Sequence, residues 1–595
     1  MSFSVITEYF VQGTISPWLK ILDTLYSYHM RQWVFGIIIL FFLLFSFVPT
    51  FYELSEREKL PSSRSFELVH NYYSDYHFYL SRIREGYEGR FTVVERYTSE
   101  PHAGSFLQVF YLILGWIARV VPDSAFTIPA IYHVARFVFG GLFLLLVVSL
   151  SKKLFFSLFW QILGVLTVAT ASTLPTLVML TDGGYRLGGY MPWFTYMDSL
   201  QRLTFLPHIL VGQCLILFLI MMGLDAKYLD SFRQTLALGI FGIFLTIVFP
   251  PGIVFVGIVY GVSLIFSFFL DRVIKLSASQ QRQWTRTHLL FPLLIGIMAL
   301  PFFAYFQSLF TFYPWKRLLD FGTLYIVPLV WIDYARALGL TLLFGMFGMM
   351  VGFFKKDRHV FALSCWVIGW MSALFIFSFI PQQPPLRFTE MAPHVPLGLL
   401  TVYFFYSVIR WLGTFRTRFV VSSITSVVYV LLFIPIVLGL GTMHSSWLWQ
   451  KDFINLKVIA GYPSIPMNNY IVYPGRTFMD AIVQLSEKTN QSTTVVVSLF
   501  TAGNFIPAFS GRVVYVGHDN TVNKEEKLAS AQKFYSHQMT VEEAQSFLLD
   551  SNITHVFFGP EEQEKSGNLF SLTEIYPFLQ ELYRVGDVGV YIIKN

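Results

Sequence analysis

The run Gly104–Val121, GSFLQVFYLILGWIARVV, decides how this chain threads a membrane. It is apolar enough to enter a bilayer, yet it sits at the lower edge of the roughly 20 residues a crossing helix needs. Counted as a crossing, it puts Lys152 and Lys153 on the outer side. Left as a helix lying on, or dipping into, the outer leaflet, it brings six basic clusters to one side. These are Arg31, Lys152/Lys153, Lys227/Arg233, Arg272/Lys275/Arg282/Arg286, Lys355/Lys356/Arg358 and Arg410/Arg416/Arg418. Short cytoplasmic loops carry an excess of Lys and Arg, so the second reading is preferred.

Around this run, apolar stretches at 33–50, 127–150, 155–180, 203–223, 233–250, 252–270, 288–308, 329–353, 359–380, 392–412 and 418–441 predict about eleven spans. The fold class expected is an α-helical polytopic membrane protein with a C-terminal extracytoplasmic α/β domain. Residues 1–32 read as a cytoplasmic amphipathic lead-in. Arg31 precedes the first run and no small-residue cleavage site follows it, so that run is retained as a helix. The composition agrees: 54% hydrophobic, 13% charged, with Phe 63, Tyr 32 and Trp 13. A soluble protein carries roughly twice that charged fraction. The net charge of +6 comes from short basic clusters between apolar runs, which does not point to nucleic acid. Cys214 and Cys365 both lie inside apolar runs, where cysteine behaves as a small hydrophobe; no disulfide framework or zinc spacing exists.

The texture changes after residue 441. VVVSLF and THVFFG read as short strands, VEEAQSFLLD as an amphipathic helix and VGVYIIKN as a final strand. Residues 442–595 are therefore expected to form a soluble domain on the outer face, attached to a membrane domain over 33–441.

This topology leaves four outer regions: 51–126, 181–202, 309–328 and 381–391. The first is too long to be a structureless connection. In it, His70–Gly86 (HNYYSDYHFYLSRIREG) sets one acid, Asp75, among tyrosines and histidines at the membrane edge. Asp75 is a candidate general base or metal ligand held at the interface. The competing reading makes Ser74 or Asp75 the N-cap of an amphipathic helix. Glu100 and His102 of TSEPHAG are candidates to join Asp75 around a divalent cation, with His77 a weaker one. The second loop supplies Asp182, Arg186, Asp198 and Arg202 beside two Gly-Gly pairs, which also fit ordinary turn chemistry. In PQQPPLRFTE, Arg387 and Glu390 stand where the chain re-enters the membrane. Arg387 fits a bidentate phosphate clamp or a snorkelling interface anchor. Lys316 and Arg317 look interfacial, and Pro207 and His208 look like packing.

The order of these features resembles the N-terminal module of the GT-C superfamily of integral membrane glycosyltransferases, which includes protein O-mannosyltransferases, oligosaccharyltransferases and aminoarabinose transferases. The resembling elements are a single span, an outer loop with an acid and a Tyr-rich helix, EPHAG, the interfacial helix, and a span ending in SKKLF. The likeness is strongest over 33–155 and extends by topology to about 441. The C-terminal GNFIPAFSGRVVYVGHDNT…FFGPEE resembles extracytoplasmic tails of bacterial proteins of this kind; His518 and Asp519 in it also fit a turn cap.

The resemblance implies a bacterial plasma-membrane enzyme using a polyprenyl-phosphate-linked sugar donor and a glycan, lipid or protein acceptor. Asp75 matches the acid of the first outer loop. Glu100 and Asp182 match the further acids of metal-dependent relatives, so a divalent cation (Mg or Mn) is a candidate cofactor. Arg387, with Arg202, His102 and Glu390, makes up the expected donor-phosphate set. Many relatives carry two adjacent acids where this chain has Ser74–Asp75, which weakens the metal argument. One base suffices for single-displacement transfer with inversion, whereas retaining enzymes need a second carboxylate. A transporter or flippase of lipid-linked sugars would share the hydropathy, but such proteins bury ionisable groups at midplane, and these spans read as almost free of charge. A non-catalytic glycan-binding scaffold is the third alternative.

Overall fold

The computed structural model describes residues 17–594 except 71, 123, 125, 182, 190–197, 224–230, 272–284, 325–328, 356, 381–384, 416–417 and 460–472. Its first part is helical: α1 (Pro17–Glu56), α2 (Tyr73–Tyr87), α3 (Val109–Ala118), α4 (Thr127–Leu154), α5 (Leu158–Thr170), α6 (Pro207–Gly223), α7 (Phe232–Val248), α8 (Pro250–Asp271), α9 (Phe291–Leu309), α10 (Arg317–Leu324), α11 (Trp331–Lys355), α12 (Arg358–Phe377), α13 (His394–Leu412) and α14 (Arg418–Ile459). Each expected span overlaps one of these helices. Among the described residues, eight helices are long and apolar enough to cross a membrane, within α1, α4, α8, α9 and α11 to α14. Three more, α5, α6 and α7, are apolar but shorter. Helix α3 has ten residues, about 15 Å of helix, half the thickness of a hydrocarbon core.

One expectation is corrected. The stretch 155–180 is not one span: α5 stops at Thr170, and β1 (Thr176–Met179) pairs antiparallel with β2 (Tyr185–Gly188). Pro175 lacks an N–H and biases its predecessor away from helix, so the chain leaves α5 extended. Arg136 of α4 is buried, donating to the Thr204 carbonyl at 2.8 Å and to His133 Nδ1 at 2.7 Å. His133 lies on α4 itself, whereas Thr204 belongs to the turn Gln201–Thr204, so this arginine ties α4 to that turn.

The C-terminal domain contains α15 (Arg476–Lys488), β3 (Val495–Val497), α16 (Phe500–Phe509), β4 (Val513–Val514), α17 (Lys524–Tyr535), α18 (Val541–Asp550), β5 (His555–Phe558), α19 (Pro560–Lys565), β6 (Leu579–Val585) and β7 (Val588–Ile593). The sheet order is β4-β3-β5-β7-β6, with β3 parallel to both neighbours and β7 antiparallel to both of its own. The expected strands and helix are all present. Thr540 and Glu543 close a reciprocal capping box at the start of α18.

The first long loop is built into this domain. Tyr73, Phe78 and Tyr97 share one buried cluster with Phe478, Ile482, Phe505 and Ile506. Hydrogen bonds to backbone carbonyls seal the contact: Val514 N–H donates to the Arg96 carbonyl at 2.9 Å, and Arg84 Nε donates to the Ala508 carbonyl at 2.7 Å. The charged tail of α2 is internal scaffolding. Buried Arg82 pairs with Glu85 at 3.0 Å and Glu95 at 2.6 Å. The other face of α2 lies against α3 at Gly86 and Gly115, where a Cβ would overlap the Leu112 and Ile83 carbonyls respectively. That close approach sets the height of α2 above the bundle.

Candidate active site

Asp75 is the third residue of α2, whose cap is Tyr72. It is therefore inside the first turn, where a negative charge is favoured by the helix dipole, and it is not the cap itself. Its side chain is 46% exposed. The walls beside it are aromatic: Tyr79 stacks on Tyr111 at 4.6 Å, and Tyr111 stacks on Tyr132 at 6.3 Å. The Tyr111 hydroxyl and His208 Nδ1 are hydrogen-bonded at 2.7 Å. Asp75 thus stands half-exposed, one helical turn from a row of stacked tyrosines. His208, read as packing from its sequence, completes that row.

Arg387 acts electrostatically on Tyr79 of this row. It lies in a short turn, Pro385–Phe388, pinned from below by two buried tryptophans. Trp370 Nε1 donates to the Phe388 carbonyl and Trp366 Nε1 to the Met391 carbonyl, each at 3.0 Å. Gln213 Nε2 donates to the Glu390 carbonyl at 2.8 Å. Arg387 Nε is buried and makes no hydrogen bond among the described residues. Burial pushes the Glu390 carboxyl up to about 7, partly offset by the Arg387 guanidinium. Burial also raises the Tyr79 hydroxyl well above its ordinary range. The negative charges of Asp75 and Glu390 add to that rise and Arg387 opposes it. Tyr79 therefore feels the acid of α2 and the cation of the Arg387 turn together. Tyr79 stands one helical turn from Asp75.

The other candidates are placed elsewhere or otherwise occupied. Glu100 is paired with Lys527 at 2.6 Å and accepts from Thr98. His102 is a backbone staple: its Nε2 accepts from Glu95 N–H at 2.8 Å and its Nδ1 bonds the Glu100 carbonyl at 2.7 Å. Arg202 is buried and donates to the Ala171 carbonyl at 2.7 Å. Asp198 is buried too, accepts from Leu200 N–H at 2.9 Å and from the Ser446 hydroxyl, and lines a separate cavity of about 340 Å³ beside Trp449. His77, two residues from Asp75, points into the domain interface, bonding Glu67 and, at 2.6 Å, Asn504 Oδ1. Asp182 lies outside the described residues. Among the described residues no three His, Cys, Asp or Glu side chains stand together as a metal site.

No protein-family model matches the sequence, and no curated protein matches it. Solved structures do. The archaeal oligosaccharyltransferase AglB from Archaeoglobus fulgidus, in complex with an inhibitory peptide and a dolichol-phosphate, matches at TM-score 0.50 and 12% identity, over 89% of this chain and 69% of that one. ArnT from Cupriavidus metallidurans, bound to undecaprenyl phosphate, matches at TM-score 0.48 and 11% identity, over 94% of this chain and 97% of that one. At such identities the likeness is one of fold alone: the chain shares its architecture with the archaeal oligosaccharyltransferase.

Proposed function

We propose that the protein is a membrane glycosyltransferase that moves a sugar from a polyprenyl-phosphate donor to an acceptor hydroxyl on the outer face of the membrane, with inversion. The observation that carries this reading is a half-exposed acid in the first turn of α2, Asp75, together with a buried guanidinium Nε in the Pro385–Phe388 turn, that of Arg387, which makes no hydrogen bond among the described residues. The fold of an oligosaccharyltransferase determined with a dolichol-phosphate supports it.

An isoprenoid donor is confined to the bilayer, so its phosphate lies at headgroup depth. Arg387, with its Nε unengaged, is the cation that meets it. Glu390, with its carboxyl near 7, is protonated in a sizeable fraction of molecules and then donates to a phosphate oxygen. Asp75, half-exposed, faces the arriving acceptor. Asp75 takes the proton as the hydroxyl oxygen bonds to the anomeric carbon. The bond from that carbon to the donor oxygen breaks, its electron pair stays on the phosphate, and Arg387 stabilises that charge. The described donor set does not fit a divalent cation, with Glu100 held by Lys527, so no step runs through one.

The direct test is transfer from lipid-linked sugars in membranes, comparing wild type with Asp75→Asn. Loss of a general base lowers turnover by roughly 10²- to 10⁴-fold. Transfer at the wild-type rate by the variant removes Asp75 from the mechanism.

A further inference from the structure

We propose that His518, carried by the C-terminal domain, is a positioning residue for the Asp75 carboxylate, so that the docked domain completes the reaction centre. The proposal rests on Asp75 being the acceptor's base.

His518 follows β4 in a turn whose every element is tied down. Gly503 and Gly517 are in backbone contact, each lacking room for a Cβ against the other's segment. The Thr521 hydroxyl accepts from Gly517 N–H and His518 N–H, each at 3.3 Å, and donates to the Tyr97 carbonyl at 2.7 Å. Arg317 Nε donates to the Asp519 carbonyl at 3.1 Å. The imidazole itself is 4% exposed. It stacks on Phe78, one turn along α2 from Asp75, at 4.8 Å and 15°, and lies 5.1 Å from the Tyr97 ring.

The ring's nitrogens are not equivalent. Asn520 N–H donates to Nδ1 at 3.1 Å, which leaves the ring proton on Nε2. Nε2 is buried and makes no hydrogen bond among the described residues. The carboxylate it faces is Asp75, with Oδ1 at 3.8 Å. An N–H this buried costs free energy unless something accepts from it. The gap exceeds a hydrogen bond, but catalytic bonds of this kind are often long without substrate and tighten when it binds. On closing, the N–H takes Oδ1 and leaves the second oxygen free to receive the acceptor's proton. A histidine present only to fill space would work equally well as a phenyl ring.

Transfer kinetics of the full-length protein, with a polyprenyl-phosphate sugar, decide the matter. The variants are His518→Phe, His518→Gln, Asp75→Asn and the double variant Asp75→Asn/His518→Phe. Phe keeps the stack on Phe78 and has no N–H; Gln returns an amide N–H near the place of Nε2. His518→Phe is expected to lower kcat about 10- to 100-fold, with donor KM changed by less than about twofold, as for a misaligned reacting group. His518→Gln recovers most of that loss, and His518→Phe has no further effect once Asp75 is Asn. Wild-type kcat in His518→Phe, beside an inactive Asp75→Asn, overturns the proposal. So does an equal loss from His518→Phe in both backgrounds, or variants that lose fold in place of turnover. Full transfer by Asp75→Asn is a different failure: it removes the base, and with it the partner assigned to His518.

Discussion

Replacing Glu390 by Gln should stabilise the protein on the alkaline side, by an amount that follows from where the carboxyl sits. Burial raises it from an ordinary 4.5 to about 7 even with Arg387 nearby. Between those values the folded protein keeps a proton that the unfolded chain has released. Stability therefore falls as pH rises from about 4.5 to about 7 and is level above that. A gap of about 2.5 units, at 1.36 kcal/mol each, amounts to about 3 kcal/mol as a ceiling, because the turn relaxes around a charge. Gln is neutral throughout and escapes the loss. For 595 residues, an unfolding entropy of about 2.1 cal/mol/K per residue converts this to about 2–3 °C. Thermal unfolding in detergent, followed by tryptophan fluorescence at pH 5 and 8.5, reads it directly. The two proteins should melt within about 1 °C of each other at pH 5, and the variant higher at pH 8.5. A variant that melts lower at pH 8.5, or differs by the same amount at both pH values, refutes the reasoning, because the carboxyl would then contribute as an ion and not as an acid held neutral.

The same turn makes a functional prediction: Arg387→Met should lower kcat/KM for the lipid donor about 10²- to 10³-fold, and Arg387→Lys should restore only part of it, since an ammonium lacks the guanidinium fork. Inhibition by free polyprenyl phosphate checks the assignment independently and should weaken in step. Gly86→Val, which drives a side chain into the Leu112 carbonyl, should cost about 1–3 kcal/mol of stability and reduce transfer by displacing α2, measurable as a lower melting temperature with lower turnover.

The membrane character of this chain is plain in its sequence because burial in lipid is a local requirement. A helix must satisfy its own backbone and present apolar side chains over a set length, so hydropathy alone marks the spans. The short strands and the capped helix of the C-terminal domain are readable for the same reason, since Thr540 and Glu543 act within one turn. Where a local rule failed, a single residue overrode it: Pro175 cut an apolar run that composition alone extended to residue 180.

The site itself is readable only in part. Asp75 and Arg387 stand out because an acid and a guanidinium at an interface are costly unless used. Nothing in the chain announces that both act on the Tyr79 hydroxyl. That follows from α2 being held against α3 at two glycines and from the Arg387 turn being hung on Trp366 and Trp370. Glu100 and His102 have the right chemistry in the right loop, yet folding commits them to Lys527 and to backbone. His518 shows the reverse case: from its sequence it fits a turn cap, and it lies 3.8 Å from Asp75 across more than four hundred residues of chain. Side-chain type and hydropathy are properties of single residues and are written in the sequence. Proximity between distant residues is a property of packing, and only the tertiary structure decides which acid keeps its charge free and which histidine is brought to face it.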